Sequence, residues 1–434
     1  MTNTVFSMLT KTTRSLAAGT LLLLAGIAQA DVTALVGATL HPVSSESIDN
    51  GTLIIRDGRI EALGDDIDIP DGAQIIELDG LHVYPGFVHP ATQLGITEIA
   101  SVAGTVDTAE MGNINAAVRV EVAVNHDSDL LPVSISGGVL SAHVVPGGGL
   151  IRGSSAVMNL DGWSWEDMVI NAPVGMHISF PSGAVEDDEN EDLQRIERVI
   201  DRARHWKQAS EAAKAGNGSA PARNDQLEAL VPLLSGEVPL FLHANRYDVM
   251  ETALDWAQEQ EFDNIILVGD PDVRYIAERL ASDDIPVIMS RVYAMPTRRW
   301  EPYDMAYSAA ARLDEAGVRF ALTDSGGGMD VANARNLPFQ AGSAVAHGLT
   351  HESALKSVTL WPAEILGVAD QLGSLEPGKR ASLFVADGDP LEVTTSIERV
   401  WIDGQEFDLM RDRHRRLYER YRERNARAQG RDPE

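Results

Sequence analysis

A chain of 434 residues has room for one large domain, or for a barrel with a smaller attached module. Its composition, 44% hydrophobic and 23% charged, is that of an ordinary soluble globular enzyme. The formal charge of -30 repels nucleic acid and anionic membrane alike, and it reads as a solubility device or the mark of a salty environment.

In chain order, residues 1–30 read as a signal peptide. Lys11 and Arg14 precede the apolar run 16–27, and Ala28-Gln29-Ala30 offers the small residues that a signal peptidase cuts behind. The run is short for a membrane span. The expectation is cleavage after Ala30 and a periplasmic or secreted protein that keeps no membrane contact. The chain has no cysteine, so it must be stable there without disulfides.

Residues 31–82 look like short strands (33–40, 51–60 and 73–78), with Asp57-Gly58 as a hairpin turn. This is half of a β-sandwich. The missing half is expected at 369–408, where turn-then-strand patterns return around Gly373-Ser374-Leu375 and Val400-Trp401-Ile402. Between the halves, at 83–368, apolar strands alternate with helical stretches, which is the pattern of a parallel α/β sheet or barrel. Eight strands are expected at 84–88, 138–145, 156–160, 174–180, 238–243, 264–268, 285–289 and 318–323, with helices such as 192–213 and 304–316. Eight parallel strands close a (β/α)8 TIM-type barrel. The tail, 409–434, is rich in arginine and reads as an exposed basic helix.

Two side chains end candidate barrel strands, where barrel enzymes keep their chemistry: His243 and Asp324. A neutral imidazole and a carboxylate suit Zn²⁺ or a similar divalent ion, and an aspartate beside water suits a general base. His177, inside the fourth strand, is a third ligand if its side chain points inward and a packing residue if it points outward. His143 carries the same ambiguity, and Pro90 obscures the direction of His89. Pro146-Gly147-Gly148-Gly149 with Arg152-Gly153 reads as a tight turn rather than an anion cradle, because no Walker pattern is present. Ser325-Gly326-Gly327-Gly328 is a loop at the expected site mouth. No Gly-x-Ser-x-Gly elbow suggests a serine hydrolase.

Several blocks together resemble the amidohydrolase superfamily, in its exported, imidazolonepropionase-like branch. They are Tyr84-Pro85-Gly86-Phe87, His243-Ala244-Asn245-Arg246, Asp324, Asn336-Leu337-Pro338, Pro362-Ala363-Glu364-Ile365-Leu366-Gly367, and Gly373-Ser374-Leu375 with Pro377-Gly378-Lys379. The resemblance implies a metal-dependent barrel with a composite β-sandwich that hydrolyses carbon–nitrogen bonds, and a homo-oligomer. Where the family continues its first strand as Asp-Ala-His-x-His, this chain has His89-Pro90-Ala91-Thr92-Gln93, and the histidine usual after strand six falls on Gly269. The expectation is therefore at most one ion, held by His243, His177 and Asp324, or none. Asp324 is the expected general base, and Gln93, Asn245 and Arg246 are the expected substrate contacts. Two alternatives stand beside this: metal-free hydrolysis with Asp324 and His177 as the acid–base pair, and a catalytically inactive binding or assembly protein built on the same fold.

Overall fold

The computed structural model describes residues 32–187 and 189–431, so the expected signal at 1–30 lies outside the described residues. β1 (Val32–Leu40) pairs antiparallel with β2 (Ile48–Arg56), which turns into β3 (Arg59–Gly64). Asp57 and Gly58 make that turn with φ of 50° and 80°, the left-handed pair that a two-residue hairpin needs. β4 (Gln74–Glu77) and β5 (His82–Pro85) then lie parallel to β1.

At Gly86 the chain leaves this sheet. A Cβ there would sit 2.7 Å from the Leu140 side chain, while the Gly86 N–H donates to the Ser382 carbonyl at 3.0 Å. Only glycine allows both approaches. The strand expected over 84–88, punctuated by Pro85-Gly86, is therefore two strands that part at that corner. β5 ends in the sandwich, and β6 (Phe87–Thr92), buried at every position, opens the barrel.

β6 runs parallel to β7 (Val139–Val144). An excursion follows: β8 (Ile151–Ser154), β9 (Ala156–Asn159) and β10 (Val169–Asn171). β9 is antiparallel to both β7 and β10, so the strand expected as the third parallel stave runs the opposite way. β8, expected as part of a loop, is a strand antiparallel to β11 (Met176–Ser179). From β11 the barrel is regular, continuing through β12 (Leu240–His243), β13 (Ile265–Gly269), β14 (Val287–Met289) and β15 (Phe320–Leu322), each parallel to the last. The architecture is a TIM-type α/β barrel with a β-rich domain beside it.

Helices pack outside. Asn190 caps helix Glu191–Lys214 by accepting the Asp192 and Leu193 N–H groups, and Ile196, Ile200 and Ala203 form its buried stripe. Only the end of the helix expected over 304–316 is α-helical, at Ala309–Ala316. Inside the barrel, Val88, Val145, Val157, Phe241, Ile266, Ile288 and Ala321 form a packed floor, not a pore. Side chains alternate along a strand, so Phe241 in this floor puts His243 on the same inward face one layer up.

The chain returns to the first sheet through β16 (Leu383–Ala386), antiparallel to β5, and extends it with β17 (Ile397–Ile402) and β18 (Gln405–Glu406). Leu35, Leu53, Ile55, Leu383 and Trp401 share its separate core. The two ends of the chain thus complete one sheet across the inserted barrel. The tail is helix Arg413–Ala428, with no buried residue. Among the described residues no helix is long and apolar enough to cross a membrane.

Candidate active site

The C-terminal ends of the barrel strands open on two adjoining cavities of about 530 and 680 Å³, which share Asn245, Arg246, Asp270, Arg291 and Ser325. A cavity of similar size lies against Val174, Val238, Asn264 and Val318, before the strands begin. Barrel enzymes work at the C-terminal face, so the shared mouth is the candidate site.

One polar group at this mouth comes from β8, β11 and β12. His177 and His243 both point inward, and His177 Nδ1 lies 2.9 Å from His243 Nε2, one proton shared between them. His177 is fully buried and stacks on Phe241 with ring centroids 4.5 Å apart, and its Nε2 has no partner among the described residues. Burial holds both imidazoles well below the ordinary histidine range, and the nearby Arg152 guanidinium pushes each lower. Both are neutral at physiological pH.

Arg152 reaches the mouth because β8 slips register against β11. Gly153 faces His177 and Ile151 faces Ile178, which leaves Arg152 unpaired between them, and Gly153 takes φ of 118°. Bulges of this kind re-aim a side chain. Arg152 Nε donates to Ser179 Oγ at 2.7 Å, and burial lowers the pKa of the guanidinium to about 10, which still leaves it charged.

The second group comes from β6 and the end of β15. Asp324, buried but lining the larger cavity, has one carboxylate oxygen 3.3 Å from His89 Nε2. Its other oxygen accepts the Gly326 N–H at 2.7 Å. His89 is fully buried, and its Nδ1 has no partner among the described residues. Next to it, Thr323 Oγ1 donates to the Ala91 carbonyl at 2.9 Å. His143 is a satisfied core histidine, bonded to the Pro90 carbonyl and to Ser155 Oγ at 2.7 Å each, and burial lowers its pKa to about 4.

The expected trio His177, His243 and Asp324 is thus divided. The two histidines pair with each other and Asp324 pairs with His89, and among the described residues no three His, Cys, Asp or Glu side chains gather to hold a metal ion. Gly269 cannot regain a ligand cheaply, since a Cβ there would lie 2.6 Å from the Ala244 carbonyl oxygen and from Met250 Cε. Ala91 offers no donor, and Arg152 already supplies a cation beside the imidazoles. This donor set does not fit a divalent ion.

The expected substrate contacts do line the mouth. Gln93 is half-buried between Gly147 and Gly328, Asn245 is exposed, and Arg246 is exposed and tied to Asp248. The loop 146–149 is a turn packed against 108–113, not an anion cradle. Ser325 bonds Asp330 within the loop after β15. Sequence reading missed Ser179 and the direction of His89, and it weighed Arg152 only within a turn or anion-cradling loop. Arg152 had a signal, being the one charged residue in the otherwise apolar and small run 150–158.

The fold and these groups define a TIM-type barrel with its polar side chains gathered at the strand ends. Residues 166–407 match the model of the Amidohydrolase family, and the chain belongs to that family, whose members usually bind a divalent metal. A solved amidohydrolase from Thermotoga maritima MSB8 superposes with a TM-score of 0.78 at 26% identity, covering 87% of this chain and 99% of that one. Phenylurea hydrolase B shares the fold at a TM-score of 0.52 and 16% identity, over 88% and 97% of the two chains. Among curated proteins, amidohydrolase tasK of Hapsidospora irregularis is 25% identical over 382 residues, 79% of this chain and 38% of its own length. A putative N-acetylgalactosamine-6-phosphate deacetylase of Escherichia coli K12 is 41% identical over 58 residues, 13% of this chain and 32% of its own. This chain therefore spans well under half the length of these curated relatives.

Proposed function

We propose that this protein hydrolyses a carbon–nitrogen bond of a small molecule held at the barrel mouth, with Asp324 as general base. The observation that carries this is the setting of Asp324. It is a carboxylate at a strand end, open to the larger cavity and fixed through both oxygens by His89 and the Gly326 N–H. A carboxylate so held can take a proton from water as the water attacks the carbonyl carbon, then return it to the nitrogen as the C–N bond breaks. The half-buried His243, on the wall of the adjoining cavity, is the hydrogen-bonding group that meets the substrate, and the fully buried His177 acts through it. No step is assigned to a metal, because the donor set does not fit one.

The reading includes two finer points. The apolar segment before Ala30 supports export to the periplasm or medium, and the Tyr84-Pro85-Gly86-Phe87 and Gly-Ser-Leu blocks support the imidazolonepropionase-like branch. The test is a panel of amides, cyclic imides and hydantoin-like rings, with N-acetyl compounds added because one relative is named a deacetylase. Replacing Asp324 by Asn should lower the rate on the active member about 10²–10⁴-fold without unfolding the chain. A variant as active as the wild type removes Asp324 from the chemistry, and a folded wild type inert on every member removes the hydrolase reading.

A further inference from the structure

Among the charged groups at the mouth, Arg152 differs from its neighbours in having no counter-ion among the described residues. Arg246 is paired with Asp248 and Arg291 with Asp270. Among the described residues Arg152 has one hydrogen-bond partner, the neutral Ser179 hydroxyl on its Nε, so the terminal nitrogens of the fork are unengaged, and its side chain lines the cavity that His243 also lines. His177 and His243 beside it are uncharged, so the cluster holds a single positive charge.

This is a costly arrangement if nothing completes it. A half-buried guanidinium without an anion loses part of its hydration and gains no Coulomb energy in return. The chain carries 65 acidic residues, and none is placed within ion-pair distance of this one among the described residues. The β8 bulge and Gly153, where a Cβ would lie 2.7 Å from Val118, exist at this point and turn the side chain inward. Arginine rather than lysine suits a planar acceptor, because two parallel N–H groups match the two oxygens of a carboxylate.

We propose that Arg152, oriented by Ser179, is an anion subsite that receives a carboxylate of the substrate, so that the protein acts on amides carrying a carboxylate near the scissile bond. The identity of the cleaved bond rests on the hydrolase reading above, but the binding of the anion does not.

The experiment uses the full chain carrying Asp324→Asn, so that no ligand is consumed, and two probes of matched size: N-acetylglycine and its neutral amide, N-acetylglycinamide. Binding is followed by calorimetry and by the melting temperature. N-acetylglycine should bind at least about tenfold more tightly than the neutral probe, and added Arg152→Gln should abolish that preference. Arg152→Lys, which keeps the charge but loses the fork, should retain part of it, and circular dichroism checks that each variant is folded. Equal binding of the two probes, an unchanged preference in a folded Arg152→Gln chain, or no binding of N-acetylglycine at about 10 mM overturns the subsite. Should the carboxylate bind while wild-type protein cleaves no amide, the subsite stands and the hydrolase reading falls. Should neutral amides be cleaved with no carboxylate preference, the reverse holds.

Discussion

His89 and His177 are both fully buried imidazoles on barrel strands, each with one ring nitrogen that has no partner among the described residues. Their surroundings differ in sign. His89 meets the carboxylate of Asp324, across β6 and the end of β15, whereas His177 meets a second neutral imidazole and a guanidinium, across β11, β12 and β8. One side of the mouth therefore keeps a negative charge with its partner, suited to handling a proton. The other keeps a positive charge without one, suited to holding an anion. The same residue type at comparable burial does different work because of what faces it. A metal site would have needed the two sides to converge, and here they are kept apart.

The largest effect expected from this contrast is on stability in acid. His143, His177 and His243 have folded-state pKa values below the unfolded value of about 6.5, so below that pH the unfolded chain binds more protons than the folded one. Stability should be fully present above about pH 6.5 and be lost as the pH falls. For His143, lowered to about 4, the loss by pH 4 is on the order of 3 kcal/mol. Urea midpoints measured from pH 7 to 4 check this, and His143→Gln should flatten the slope. A midpoint that stays level across that range would mean that the imidazoles are already protonated in the fold and that the neutral side of the comparison is wrong.

The next effect separates chemistry from scaffolding on the acidic side. His89 touches Asp324 but lies fully buried beneath it, so it is a positioning residue. His89→Gln retains a side-chain N–H, shifted in place, and should lower kcat by about 10–100-fold while leaving KM nearly unchanged. A variant that raised KM alone would assign His89 to binding and erase the division between the two sides.

Much of the fold was legible because its signals are local. Asp57-Gly58 is a strong tight-turn signal, and apolar runs placed six of the barrel strands, β7 and β11 to β15, to within two residues at either end. The reversed β9 was not legible, because a fully buried strand has no periodicity that tells parallel from antiparallel. The corner at Pro85-Gly86 was legible from its turn residues, but its cause was not, because the need for glycine there is set by Leu140, 54 positions away in sequence. In the site, Asp324 and His243 could be placed from strand ends alone. The pairing of Asp324 with His89 could not, because it depends on how the first and last barrel strands meet around Pro90, whose missing N–H accompanies a register shift in β6. Arg152 was lost to a glycine-rich context that reads as loop.

The smallest effect expected is the response to zinc, and it bears most directly on the division of the mouth. A ligand that binds only the folded chain stabilises it by RT ln(1 + [L]/Kd), so an ion held by three or four protein groups would raise the melting temperature visibly at micromolar metal. Here two imidazoles share a hydrogen bond 2.9 Å long under the influence of the Arg152 guanidinium, and the Asp324 carboxylate across the mouth is engaged by His89 and Gly326. An entering ion would have to break the imidazole pair, displace the guanidinium and draw Asp324 from both partners. Zinc at about 100 μM should therefore shift the melting temperature by less than about 1 °C, and protein purified without chelator should contain well under one equivalent by elemental analysis. A shift of several degrees that His243→Ala abolishes would show that the two sides can close on a common ion, and the separate roles given to Arg152 and Asp324 would then have to be rebuilt around it.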